Sequence, residues 1–78
     1  MQMTPLQSRM ARAALGWSID DLGKAAAVRA ATVSSFERGG DAYASTVRKL
    51  QEALEAGGVI FFAAGDGVPS GGPGVRLR

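Results

Sequence analysis

The side chains able to do chemistry in this 78-residue chain are arginine, lysine, carboxylates and small hydroxyls; cysteine and histidine are both absent. Without cysteine there is no thiol nucleophile, thiolate metal ligand or disulfide framework. Without histidine the usual general base near neutral pH and the commonest metal ligand are gone. No carboxylates are spaced as a general acid and base; Asp20-Asp21 reads as helix-start charge. The glycines after Ala64 lack the lysine and following helix that a phosphate-cradling loop needs. These absences argue against an enzyme and call for no cofactor and no metal. Recognition by charge and hydrogen bonding remains. The net charge is only +2, yet up to Lys49 seven basic residues (Arg9, Arg12, Lys24, Arg29, Arg38, Arg48, Lys49) stand against four acidic ones (Asp20, Asp21, Glu37, Asp41). That excess fits a surface facing phosphate. It fits ordinary solvated charge as well.

The elements that must position these residues are mostly helices. Thr4 suits an N-cap and Pro5 a first helical position, where a missing N–H costs nothing. Leu6, Met10, Ala13 and Ala14 follow at helical spacing, and Gly16 closes a helix over about 5–15. Ser18 caps a short second helix, about 19–26, with Asp20 and Asp21 in its first turn and Ile19, Leu22 and Ala26 as its buried stripe. Ala27-Val28-Arg29 is long enough only for a tight turn. A third helix, 30–38, carries Val33 and Phe36 on an apolar side and Thr32, Ser34 and Ser35 on a small polar side; Gly39-Gly40 stops it. Ser45 or Thr46 caps a fourth helix reaching about Ala56, with Val47, Leu50 and Leu54 inward. Then the period changes. Val59-Ile60-Phe61-Phe62 reads as a strand, and Val75-Arg76-Leu77-Arg78 alternates as a half-buried strand does, across a glycine-rich loop. A disordered tail is the alternative. The chain thus divides into 1–57 and a C-terminal β tail, 58–78.

The second and third helices meet the demands of a helix-turn-helix. Two short helices must cross steeply so that the second stands clear of the body and fits the major groove. Small residues are needed where they touch, here Ala25, Ala26 and Ala27, and apolar anchors behind, here Val28, Val33 and Phe36. Gly16 to Val28 followed by Ala31-Thr32-Val33-Ser34-Ser35-Phe36-Glu37-Arg38-Gly39 resembles the lambda-repressor-like (Cro/cI, or XRE) DNA-binding domain. The resemblance covers about 6–54 and implies a mainly α, four- to five-helix DNA-binding domain, here with a short C-terminal β-hairpin or strand pair.

The resemblance implies roles for particular residues. In the family an arginine of the first helix pairs with the glutamate of the Phe-Glu-Arg-Gly ending; Arg12 and Glu37 match, as a structural ion pair. Residues implied to touch DNA are Arg29, Ala30, Ala31, Thr32, Ser34, Ser35 and Arg38 on the third helix. Ser18 joins them at the start of the second helix, and Tyr43, Ser45, Thr46 and Arg48 around the start of the fourth. Arg29 suits a guanine or a phosphate; a solvated turn residue is its plainer reading. Tyr43 serves either DNA or the cover of the core. Ile19 stands where the family commonly has glutamine, so backbone N–H groups at that helix start are expected to hold phosphate instead. Few base readers are present, so affinity is expected to be largely electrostatic, with specificity partly from DNA shape.

A chain this short buries only about 60% of its unfolded surface, so oligomerisation is a common remedy. Leu54, Val59, Ile60, Phe61, Phe62, Val75 and Leu77 are the expected dimerisation residues, through the fourth helix and the tail, giving recognition helices about 34 Å apart on a palindrome. A monomer with a private hairpin is the alternative. The expected function is a transcriptional regulator of double-stranded DNA, a repressor acting as a homodimer by occlusion. An antitoxin that binds a toxin protein and its own promoter is the alternative, and a protein-interaction module a third class. No run is apolar enough for a membrane span, and Met1 to Pro5 lacks a signal-peptide layout, so a cytoplasmic protein is expected.

Overall fold

Two capping boxes set the first two helices. The computed structural model describes residues 2–62 and 74–78. In it Thr4 and Gln7 cap α1 (Pro5–Leu15) reciprocally, and Gly16, at φ 69°, closes it in the left-handed region. Ser18 and Asp21 do the same for α2 (Ile19–Ala26). The helices α3 (Ala30–Glu37) and α4 (Ala44–Ala56) follow, then β1 (Val59–Phe62) and β2 (Gly74–Leu77). The strands pair antiparallel, Val59 opposite Leu77 and Phe62 opposite Gly74. The described part of the chain is therefore mainly helical, with four helices and a two-stranded antiparallel sheet. Residues 64–73 of the expected glycine-rich loop lie outside the described residues. No described helix is long and apolar enough to cross a membrane.

One core serves helices and hairpin alike. Leu22, Val33, Leu50 and Leu54 are fully buried at its centre, with Ala11 from α1, Met3 from the N-terminal segment and Val59 from β1. Leu15, Trp17, Phe61 and Val75 pack on its margin. The dimerisation set must therefore be corrected at two positions. Leu54 and Val59 are 0% and 1% exposed within the protomer's own core, so neither has surface left for a second copy.

Helix α1 buries a face that its apolar spacing does not mark. Gln7, Ser8 and Ala11 point inward, while Leu6, Ala13 and Ala14 are exposed and Met10 half-buried. The cause is non-local. Gln7 Nε2 donates to the carbonyls of Phe62 (2.6 Å) and Gly74 (3.1 Å), holding the hairpin, and Ser8 donates to Glu37 of α3. Two polar side chains are buried because each finds partners there.

Candidate nucleic-acid interface

The turn between α2 and α3 is made by two small residues. Ala27 ends α2 in the left-handed region, at φ 57°, and the Val28 N–H bonds the Gly23 carbonyl at 2.9 Å. A Cβ on Gly23 would lie 2.7 Å from the Val28 carbonyl oxygen. The close approach expected of Ala25 to Ala27 thus falls on Gly23. Ala25 and Ala27 are exposed and only Ala26 is buried.

Helix α3 is fixed from one side and open on the other. Val33 and Phe36 enter the core, and Glu37 is 3% exposed. The Glu37 carboxylate accepts from Arg12 Nη2 at 2.7 Å, from Arg12 Nε at 2.9 and 3.1 Å, and from Ser8 Oγ at 2.6 Å. Arg9 donates to the Glu37 carbonyl, and Arg12 Nη1 to that of Trp17 at 3.2 Å. The hydrogen bond and charge of Glu37 raise the pKa of Arg12 further, against the effect of its burial. Every buried side-chain polar atom among the described residues has a partner.

The opposite side of α3 carries Ala31, Ser34, Ser35 and Arg38 at spacings of three and four. Arg29 at the N-cap, Ala31 and Arg38 are exposed; Ala30, Thr32, Ser34 and Ser35 are half-buried. Arg38 donates to Ser34 Oγ one turn back, which lays its guanidinium along this face. Thr32 shares a concavity with Asp41, Ala42, Tyr43 and Thr46 at the start of α4. Tyr43 is 83% exposed, so covering the core is not its role.

Helix α4 begins earlier than expected. Its N-cap is Tyr43, whose carbonyl takes the N–H groups of Thr46 and Val47 at 3.0 Å, so Ser45 and Thr46 lie inside the first turn and neither caps it. Neither α3 nor α4 has a side-chain cap, whereas α1 and α2 both do. The start of α2 is capped by Ser18 as expected. Ser18 Oγ accepts from Asp21 N at 3.0 Å, and the Asp21 carboxylate accepts the Ser18 N–H at 2.9 Å, which holds its pKa low. With Asp20 beside it, this end presents carboxylates more than free donors.

Arg48 stands apart from Thr46. Two positions along, it lies on the flank of α4, between a concavity with Gln2, Gln51 and Glu55 and one that it shares with Ser45 and Lys49. Two lysines of the basic excess, given no DNA contact of their own in the sequence, also stand near the candidate surface. Lys24 lines a shallow concavity with Arg29 and Ala30, and Lys49 stands one turn beyond Ser45 on α4. The spacing of Lys49 to Ser45 was a usable signal; Lys24 and Arg29 meet only once the turn is folded. Among the described residues no cluster of acidic side chains is arranged to hold a metal. No protein-family model matches this chain, and no curated protein matches it.

Proposed function

We propose that the protein is a transcriptional regulator of the lambda-repressor-like kind, which binds double-stranded DNA with α3 in the major groove. The observation that carries this reading is the two-sidedness of α3. Glu37 ties its inner side to α1 through Arg12 and Ser8, and its outer side offers Arg29, Arg38 and small hydroxyls to a partner. Small side chains let a helix sit deep in a groove about 12 Å wide. The uncapped starts of α3 and α4 leave backbone N–H groups for phosphate, beside Lys24 and Lys49. The reading face is short of base-specific groups, so phosphate contacts supply most of the affinity and DNA shape part of the specificity.

A body this small acts by occupying its site, and a pair of protomers on an inverted repeat gives the length of site that regulation needs. It works where the DNA is, in the cytoplasm. Selection of bound duplexes from a random pool tests the reading. An inverted-repeat consensus, bound with a steep fall in affinity as salt rises, is the expected result. Arg29→Ala should weaken binding to that consensus by about 1–3 kcal/mol if Arg29 reads a base, and should relax preference at one position. No enrichment, with salt-independent binding, would remove DNA as the partner.

A further inference from the structure

The hairpin has one open edge, and its register identifies it. Gln7 Nε2 reaches the carbonyl oxygens of both Phe62 and Gly74, so those opposed carbonyls lie between the strands. The Arg78 N–H likewise bonds the Gly58 carbonyl at 2.8 Å. In an antiparallel pair such residues alternate with residues whose backbone groups point outward. On β1 the outward positions are Val59, 1% exposed, and Phe61, half-buried, so that edge is covered by packing at Val59. On β2 they are Val75 and Leu77, and Leu77 is 50% exposed. Among the described residues no hydrogen bond outside the hairpin reaches the N–H or C=O of either.

The helix that packs against β2 carries exposed apolar residues. β2 lies along α1, where Leu6 is 47% exposed and Ala14 exposed. The two arginines of the tail, which would ordinarily guard an edge, are drawn off it. The Arg76 guanidinium sits over the Phe62 ring, 6.0 Å from its centroid, and Arg78 donates to the Glu55 carbonyl at the end of α4. Their charge is held over β1 and α4, away from the strand edge.

We propose that this edge is occupied by the same edge of a second copy, β2 pairing antiparallel with β2 about a two-fold axis at Arg76, to give a four-stranded sheet. That register alone uses both outward residues of both copies, with Val75 of each protomer exchanging hydrogen bonds with Leu77 of the other. Arg76 then faces its own copy in the pair without hydrogen bonds. The cation–π contact with Phe62 is what lets two like charges stand at that position. The proposal deepens the operator reading and rests on it for its purpose, because the two-fold axis is what an inverted repeat requires.

The chain has no cysteine, so single-cysteine variants test the register directly. Cα atoms in a pair without hydrogen bonds are about 4.5 Å apart, within the range a disulfide spans. In a glutathione redox buffer without DNA, Arg76→Cys should form a covalent dimer far faster than Leu77→Cys, which lies opposite Val75. Wild-type protein should sediment as a dimer that dissociates on dilution, and Leu77→Asp should be monomeric with its helical circular dichroism intact. Equal cross-linking of the two cysteine variants, or a monomeric mass of wild type at every concentration, overturns the pairing. A dimer that binds no DNA leaves the pairing standing and removes only the operator reading.

Discussion

Glu37 shows what a single side chain does in this molecule. A carboxylate 3% exposed survives in the core because three donors of α1 converge on it, two from Arg12 and one from Ser8. Such a pair contributes modestly beyond an apolar replacement of both partners, but removing one partner strands the other. Glu37→Ala leaves the Arg12 charge and the Ser8 hydroxyl facing a void. The expected loss is about 3 kcal/mol, read as a lower urea midpoint. The loss should persist at high salt, since a buried pair is little screened. A cost below about 1 kcal/mol would mean that Arg12, which keeps some exposure, finds water instead. Arg12 and Glu37 were legible through the resemblance of their sequence positions. Ser8 and Arg9 were not, because nothing local marks a serine or an exposed arginine as part of a pair made across two helices.

At the scale of elements the sequence was easier to read than the faces of those elements. Thr4-Pro5, Ser18 and the glycines at 16, 39 and 57 punctuate the chain, and every helix boundary but the start of α4, which neither Ser45 nor Thr46 caps, falls within two residues of where those signals put it. The face of α1 was illegible, since Gln7 and Ser8 are buried by partners 29 to 67 positions away. Periodicity reports residue type, and here the buried type is polar. The turn was half legible. Its brevity was plain, but the residue that permits it is Gly23, where a Cβ would strike the Val28 carbonyl. Ala27 bears the other half of the strain. It adopts φ 57°, a region that costs an L residue with a Cβ roughly 1–2 kcal/mol. Ala27 is exposed, so glycine there loses no packing. Ala27→Gly should therefore raise stability by about 1 kcal/mol, less what the added unfolded-state freedom takes back. The corresponding rise in Tm is about 5 °C. An unchanged or lower Tm would show that the unfolded-state entropy outweighs the relieved strain.

Over the whole molecule α1 is the element through which the hairpin and the helix-turn-helix are held together. Adjacent residues on one turn do it, Gln7 holding the hairpin and Ser8 holding α3. Gln7 is 1% exposed, its Oε1 takes the Thr4 N–H at 2.9 Å, and its Nε2 bonds a carbonyl from each strand at the same end of the sheet. A two-stranded hairpin is marginal alone, so these bonds and the burial of Val59 are what keep it in place. Gln7→Ala removes both bonds and leaves a cavity beside the end of the hairpin, at about 0.5–1.5 kcal/mol for each lost hydrogen bond, since the two carbonyls face between the strands. The cost should fall unevenly. Native-state hydrogen exchange is expected to show the amides of β1 and β2 opening more readily, while those of α3, still tied by Glu37 to Ser8 and Arg12, keep their protection. Equal loss in both regions would mean that hairpin and helices open as one unit through the shared core of Leu54 and Val59. In that case a partner bound at the β2 edge would stabilise α3 directly, and dimer formation would raise the global stability of the protomer rather than that of its tail alone.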